Sequence, residues 1–210
     1  GASCAVRLRL LDERAEIILI DRGPHVSFAN CGLPYFVGNV IEDAQKLLVA
    51  TPELFEKRFD VRVWTRQEVL EIDRAKRSLV VRDLGRENAV REERYDALVL
   101  APGAAPLRPP LPGIDLPGIF ALRTIPDSVA IRRWIEERGA RRALVVGAGF
   151  IGLEMAENLR QRGLAVTMLE KLPQILPPLD PEMAAPVAER LRAQGVTLHL
   201  GDGLAGFEAA

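Results

Sequence analysis

Gly147-Ala148-Gly149-Phe150-Ile151-Gly152 lies between the apolar run Ala143-Leu144-Val145-Val146 and a helix-forming stretch from Leu153 to Arg162. Strand, glycine-rich turn and helix, in that order, are the context in which a G-x-G-x-x-G pattern binds a dinucleotide. The three glycines serve different purposes. Gly147 permits the tight turn, Gly149 lets a pyrophosphate approach the backbone, and Gly152 lets the helix pack closely on the strand. The helix N-terminus offers N–H donors and the positive end of its dipole to the phosphates, with Phe150 and Ile151 in the turn that leads to it. Gly163 stops the helix, and the next strand, Ala165-Val166-Thr167-Met168-Leu169, ends in Glu170, 18 positions after Gly152. A carboxylate there accepts from the adenosine 2'-hydroxyl and repels a 2'-phosphate, so it favours NADH over NADPH; the adjoining Lys171 acts in the opposite sense. The alternative is a glycine-rich structural turn. Strand, helix, second strand and terminal acid together favour the dinucleotide.

The pattern continues on both sides. Downstream, a helix over Pro181–Gln194 stops at Gly195 and a strand runs from Val196 to Leu200. Upstream, Ser128–Arg138 reads as a helix, and six prolines between Pro102 and Pro117 make a stiff connection. This places a boundary between residues 1–111 and 112–210. The first block repeats the pattern in incomplete form: a helix with small residues at its start (Gly1, Ala2, Ser3), the strand Glu16–Ile20, and Asp21, 20 positions after Gly1. Gly1 then reads as the third glycine of a turn whose first strand is missing, although an ordinary amphipathic helix has the same appearance. Thr51 and Pro52 suit the N-cap and first position of a short helix. Val61–Trp64 and Ser78–Arg82 alternate as strands do, with Gly85 and Asn88 marking a turn. The charged run Arg86–Arg94 reads as a solvated hairpin tip, and Ala97–Leu100 as a buried strand leading into Ala101-Pro102-Gly103. The expected fold class is α/β, with two Rossmann-like nucleotide-binding domains truncated at both ends.

The 210 residues are 48% hydrophobic and 27% charged, with a net charge of -1. That is a globular composition with no electrostatic case for nucleic acid or an anionic membrane surface. No apolar run reaches the roughly 18 residues that span a bilayer, and no signal peptide is visible. Two cysteines and two histidines give neither a disulfide framework nor zinc-ligand spacing. A reducing cytoplasm is the expected location, and no metal is expected.

Cys31 is the residue that points to chemistry. Free cysteine is often a small buried hydrophobe, but Asn30, Gly32 and Pro34 place this one in a turn rather than on an apolar face. The apolar residues after it predict a helix beginning nearby, and helix N-termini favour thiolate. No second cysteine follows within a few residues, so a redox-active Cys31 works alone or with a thiol that the substrate supplies.

Ser27-Phe28-Ala29-Asn30-Cys31-Gly32-Leu33-Pro34-Tyr35 resembles the active-site segment of the coenzyme A disulfide reductases and their NADH-dependent persulfide-reducing relatives. These are single-cysteine, FAD-dependent pyridine nucleotide-disulfide oxidoreductases. The likeness extends through Ala101-Pro102-Gly103-Ala104 and the run Gly147–Asn158, and covers essentially the whole chain. It implies an FAD-binding domain over 1–111 and an NAD(P)H-binding domain over 112–210. It also implies a full-length homodimer, of which this chain is a fragment lacking the first strand, the later flavin-contacting Gly-Asp segment and the dimer domain. Gly201-Asp202 comes too early to be that segment.

By the same resemblance, electrons pass from NAD(P)H through FAD to Cys31, which reduces coenzyme A disulfide or a related persulfide or polysulfide. FAD contacts fall on Gly1, Asp21, Arg22, Val69, Ala101, Pro102, Gly103 and Arg123. Substrate contacts fall on Ser3, Arg7, Ser27 and Asn30, with Arg7 facing the coenzyme A phosphates. Glu154 joins Gly147, Gly149, Phe150, Ile151, Gly152 and Glu170 on the nicotinamide nucleotide. Cys4 and His25 receive no role. Two alternatives stay open: an NADH oxidase or peroxidase cycling Cys31 through sulfenic acid, and an inactive nucleotide-binding fragment. The Gly-Leu-Pro-Tyr continuation, typically absent from the oxidases, favours thiol chemistry.

Overall fold

The computed structural model describes residues 1–209; residue 210, which closes the second sequence block, lies outside the described residues. In chain order the elements are α1 (Ala2–Leu11), β1 (Ile17–Asp21), β2 (Ser27–Phe28), α2 (Leu33–Val37), β3 (Leu48–Ala50), α3 (Pro52–Phe59), β4 (Val61–Thr65), β5 (Gln67–Asp73), β6 (Ser78–Asp83), β7 (Val90–Arg94), α4 (Ile125–Arg138), β8 (Arg142–Val146), α5 (Phe150–Gln161), β9 (Ala165–Glu170), α6 (Pro181–Ala193) and β10 (Thr197–Leu200). They pack as two units. One holds Gly1–Ala29 and Leu48–Ala104, the other Asn30–Leu47 and the chain from Ala105 onward.

These packing units differ from the sequence blocks 1–111 and 112–210. The change of unit falls at Ala104–Ala105, ahead of all but the first of the prolines. Asn30–Leu47 leaves its sequence neighbours because the apolar side chains of α2 are buried against α4 and α5: Val37 shares a core with Ile131, Met155 and Leu159.

In the first unit, β1 and β4 pair in parallel, with Ile17 opposite Val61 and Asp21 opposite Thr65. Ile17, Val61 and Val63 meet Ala5 of α1 and Phe55 of α3 in one small core. Helix α3 starts where its residue types dictate: the Thr51 hydroxyl accepts from the Leu54 N–H, and Pro52 stands at the first helical position. β5, β6 and β7 form an antiparallel sheet. Arg86–Arg94 is therefore only partly a hairpin tip, since Val90–Arg94 pairs with Ser78–Arg82 along β6. Ala97–Leu100 is not a buried strand. It has no ladder partner among the described residues, and Val99 and Leu100 are exposed. Residues 98–111 carry no regular structure. Pro102, Pro106, Pro109 and Pro110 have no N–H to donate to a ladder, which accounts for much of that stretch.

The second unit is a three-stranded parallel sheet in the order β10-β9-β8, with β8 joined to β9 through α5 and β9 to β10 through α6. Met168, Val166, Ala156, Leu159 and Ile175 fill its core. Burying each large apolar side chain stabilises by about 1.5–3 kcal/mol. Helix α4 opens ahead of its expected start with a capping box: the Thr124 hydroxyl accepts from the Asp127 N–H, and the Asp127 carboxylate accepts from the Thr124 N–H. Gly139 closes the helix in the left-handed conformation, φ 59°. Among the described residues no helix is long and apolar enough to cross a membrane, and no group of three or more His, Cys, Asp or Glu is placed to hold a metal ion.

Candidate functional site

The glycine loop Gly147–Gly149 joins the end of β8 to the start of α5. Gly147 has φ +98°, a conformation closed to most side chains. Its N–H donates to the Leu169 carbonyl at 2.8 Å, extending the β8–β9 pairing into the turn. A Cβ added at Gly152 would collide with the Gly147 carbonyl oxygen, so close helix–strand packing requires glycine there. At Gly149 a Cβ would meet nothing within 4 Å, which leaves that stretch of backbone open to approach. Gly149 is also the N-cap of α5 and provides no side-chain cap. The first N–H groups of the helix are thus the donors available to an anion. Phe150 and Ile151 stand exposed on this first turn, and Glu154 is half-buried one turn on.

Two backbone anchors hold the loop from outside it. The Glu170 carboxylate, only 9% exposed, accepts from the Ala148 N–H at 2.7 Å and from the Leu172 N–H at 2.9 Å. The Leu176 N–H donates to the Ala148 carbonyl at 2.8 Å, with Leu176 itself at φ 47°. Both polar groups of the buried Ala148 are therefore taken up by β9 and the loop that follows it. Nothing in the sequence marks Ala148, Leu172 or Leu176, because their contribution is main-chain. Gly201 and Asp202 belong to the same end of the sheet: their N–H groups donate to the Leu172 and Glu170 carbonyls.

Asp21 repeats part of this design in the first unit. At the end of β1 its Oδ1 accepts from the Gly23 N–H at 2.7 Å, as Glu170 does from the residue two places on. Gly1 is the N-cap of α1, and a Cβ added to it would stand 3.5 Å from the Ala101 Cβ. Gly103 adopts φ +70°, and Ala101 and Pro102 are exposed beside it. Arg22 is exposed, 3.7 Å from Glu68, and Val69 stands exposed at a bulge in β5. Arg123, the remaining expected flavin contact, lies in the second unit, where its N–H joins the α4 cap at Asp127.

Three of the four expected substrate residues meet in the first unit. Ser3, Arg7 and Ser27 line one open groove of about 330 Å³, floored by Val6, Phe55 and Phe59. The fourth, Asn30, is in the second unit with Cys31. Both are exposed in a 3-10 turn, Asn30–Gly32. The expected helix beginning near Cys31 starts two residues later, at Leu33, and is five residues long. Gly32 and Pro34 shape the turn, and a helix of that length carries little of the dipole a long one would. Exposure rather than a helix end is what makes Cys31 available to a reactant. Cys4 is likewise free and exposed, on α1.

Residues 1–210 match the pyridine nucleotide-disulphide oxidoreductase family. The chain belongs to this family. Among relatives within it, the coenzyme A disulfide reductase of Staphylococcus epidermidis is 38% identical over 202 residues, which are 96% of this chain and 45% of that protein. The NADH oxidase of Methanocaldococcus jannaschii is 37% identical over 201 residues, 95% of this chain and 44% of that one. The fold superimposes on reduced Bacillus anthracis CoADR-RHD with a TM-score of 0.96 at 45% identity, covering 99% of this chain and 37% of the other. An NAD-dependent persulfide reductase from A. fulgidus gives 0.93 at 35% identity, covering 99% and 39%. The chain thus spans less than half the length of these family members.

Proposed function

We propose that the protein is a flavin-dependent, NADH-consuming reductase of coenzyme A disulfide or a related persulfide, with Cys31 as its redox thiol. The observation that carries this is Cys31 itself: an exposed, unpaired thiol in the Asn30–Gly32 turn, with no neighbouring cysteine, in a chain similar to coenzyme A disulfide and persulfide reductases. When bound, NADH and FAD supply two electrons. The open Gly149 backbone and the α5 N-terminus suit the nicotinamide nucleotide's phosphates, and Glu170 its adenosine ribose. Gly1, Asp21, Arg22, Val69 and Ala101–Gly103 suit the flavin nucleotide.

Cys31 does the covalent work. Its thiolate attacks one sulfur of the disulfide, the S–S bond breaks, and the first coenzyme A leaves as thiolate. The resulting mixed disulfide takes up two electrons and releases the second thiol, regenerating Cys31. The balance is NADH plus a proton plus disulfide to NAD⁺ plus two thiols. The groove of Ser3, Arg7 and Ser27 suits a long, partly apolar ligand with an anionic end, Arg7 meeting the phosphates. Two free, exposed thiols are in keeping with a reducing compartment.

A second reading is favoured by the Methanocaldococcus jannaschii relative: an NADH oxidase or peroxidase in which Cys31 passes through sulfenic acid. NADH consumption by the protein expressed from its complete reading frame separates the two. Turnover with coenzyme A disulfide or persulfide well above that with oxygen or peroxide supports the reductase. Turnover with oxygen alone sinks it.

A further inference from the structure

Helix α5 leaves the dinucleotide loop at its first turn, and its second half grips α2, the helix that follows Cys31. Asn158 sits at that contact. It is 1% exposed; its Nδ2 donates to the Glu154 carbonyl at 2.8 Å, and its Oδ1 has no hydrogen-bond partner among the described residues. Leaving a buried amide oxygen unpaired is unfavourable, and an alanine or leucine there would avoid it. The space this side chain fills is the space a side chain at Gly38, the C-cap of α2, would need: a Cβ on Gly38 would stand 2.7 Å from Asn158 Cγ and 2.8 Å from its Cβ.

One turn further along, Arg162 donates through Nη1 to the Val37 carbonyl at 2.9 Å and pairs through Nη2 with Glu136 at 3.2 Å. Glu136 also holds Arg132, which donates to the Glu42 carbonyl at 2.9 Å and lies over the Phe36 ring, 4.7 Å from its centroid. The stretch from Phe36 to Glu42 is therefore anchored by side chains of α4 and of the α5 end. The turn bearing Cys31 leads directly into it, since Leu33 and Pro34 are buried.

We propose that Asn158 and Arg162 are positioning residues for Cys31. By locking α2 onto α5 they set where the thiol stands relative to the dinucleotide loop that begins the same helix. This rests on the reading of Cys31 as the redox thiol. Asn158 and the Arg162 side chain are almost wholly buried at this contact, so they act through α2.

The test compares Gly38→Ala, Gly38→Ala with Asn158→Ala, Arg162→Met and Cys31→Ser in the flavin-loaded protein expressed from its complete reading frame. Rapid mixing follows flavin bleaching by NADH and reoxidation by coenzyme A disulfide separately. Iodoacetamide labelling of Cys31, read by peptide mass with Cys4 as internal control, reports the thiol without turnover. Gly38→Ala and Arg162→Met should slow reoxidation about 10- to 100-fold, the scale of an ångström-level misplacement, and alter the labelling rate of Cys31 but not of Cys4. Bleaching by NADH should stay within about twofold. The double variant, which removes the colliding amide but leaves the two Cβ atoms 2.8 Å apart, should recover part of the lost rate. Reoxidation at the parental rate in both Gly38→Ala and Arg162→Met overturns the proposal, as does parallel loss of both half-reactions or a double variant no better than Gly38→Ala. If Gly38→Ala does not fold, Arg162→Met decides alone. If Cys31→Ser itself reoxidises at the parental rate, the functional reading has failed. If Cys31→Ser is blocked and the clamp variants are not, only the positioning role has.

Discussion

The Ala148 N–H donates to Oε2 of Glu170 at 2.7 Å, so the acid that ends β9 also braces the glycine turn that ends β8. Under the proposed function the same carboxylate also meets the nucleotide ribose, beside its structural contact with the loop.

The expected consequence is that nucleotide preference and stability change together at this position. The parental protein should use NADH with higher kcat/KM than NADPH, because a 2'-phosphate would face Glu170. Glu170→Ala should narrow that ratio and lower stability by about 1.5–3 kcal/mol, the usual contribution of hydrogen bonds to a charged group. Steady-state kinetics with both nucleotides and a denaturant titration check the two halves. A clear parental preference for NADPH would mean that the neighbouring Lys171 outweighs the carboxylate.

Gly152→Ala should damage the loop from the other side. Its new Cβ meets the Gly147 carbonyl, which is backbone and cannot swing away. Overpacking of this kind costs about 1–3 kcal/mol, and the displaced α5 N-terminus should weaken NADH binding more than it lowers the thermal midpoint. Gly149→Ala is the control for stability: no atom lies within 4 Å of its Cβ, so it should leave the midpoint nearly unchanged while still obstructing the phosphates. NADH titration and calorimetry on both variants measure this, and a destabilised Gly149→Ala would contradict it.

Cys31→Ser should retain flavin and still accept electrons from NADH, since neither step needs the thiol. It should lose turnover with disulfide or persulfide by several orders of magnitude, because a serine hydroxyl is a far weaker nucleophile and forms no mixed disulfide. Cys4→Ser should be close to neutral for the chemistry. Stopped-flow absorbance separates the two steps, and parental disulfide reduction by Cys31→Ser would reduce Cys31 to a structural thiol.

Acid should loosen the β5–β6–β7 sheet at its turns. The Asp83 carboxyl is held below the usual carboxylate range, first by its hydrogen bond with the Gln67 side chain and then by the Gly85 N–H; Asp73 is held down by the Lys76 N–H and then the Lys76 side chain. A folded pKa below the unfolded value of about 3.9 means the stabilisation is complete above that value. It declines as the pH falls through it toward the depressed one. Both groups are solvent-exposed, so the effect is local. Amide exchange in residues 84–89, corrected for intrinsic rates, should rise on acidification below about pH 4, and Asp83→Asn should remove most of that dependence. A flat profile in the parental protein would refute the assignment.

The features legible in sequence were those whose cause lies within a few residues. Thr51 with Pro52 starts α3, Gly163 and Gly195 mark helix ends, and the Gly147–Gly152 spacing between an apolar strand and a helix defines the loop. β5 is not legible in the sequence because Gln67–Asp73 mixes charged and apolar residues, and its pairing with β6 decides its conformation. β7 was hidden in the charged run Arg86–Arg94 for the same reason. Ala97–Leu100 is the opposite case: apolar composition announces a buried strand, but a strand also needs a ladder partner.

The sequence alone determined the glycine loop between β8 and α5, the position of Glu170 at the strand end and the turn at Cys31, because glycine conformation, strand alternation and turn propensity are local properties. Only the tertiary structure decided that Asn30–Leu47 packs with the second unit, that Glu170 braces Ala148, and that Gly38 lies against Asn158. Those contacts join residues far apart in the chain. Each is set by which buried surfaces and unpaired polar groups can satisfy one another once the chain has closed on itself, and no short-range pattern encodes that.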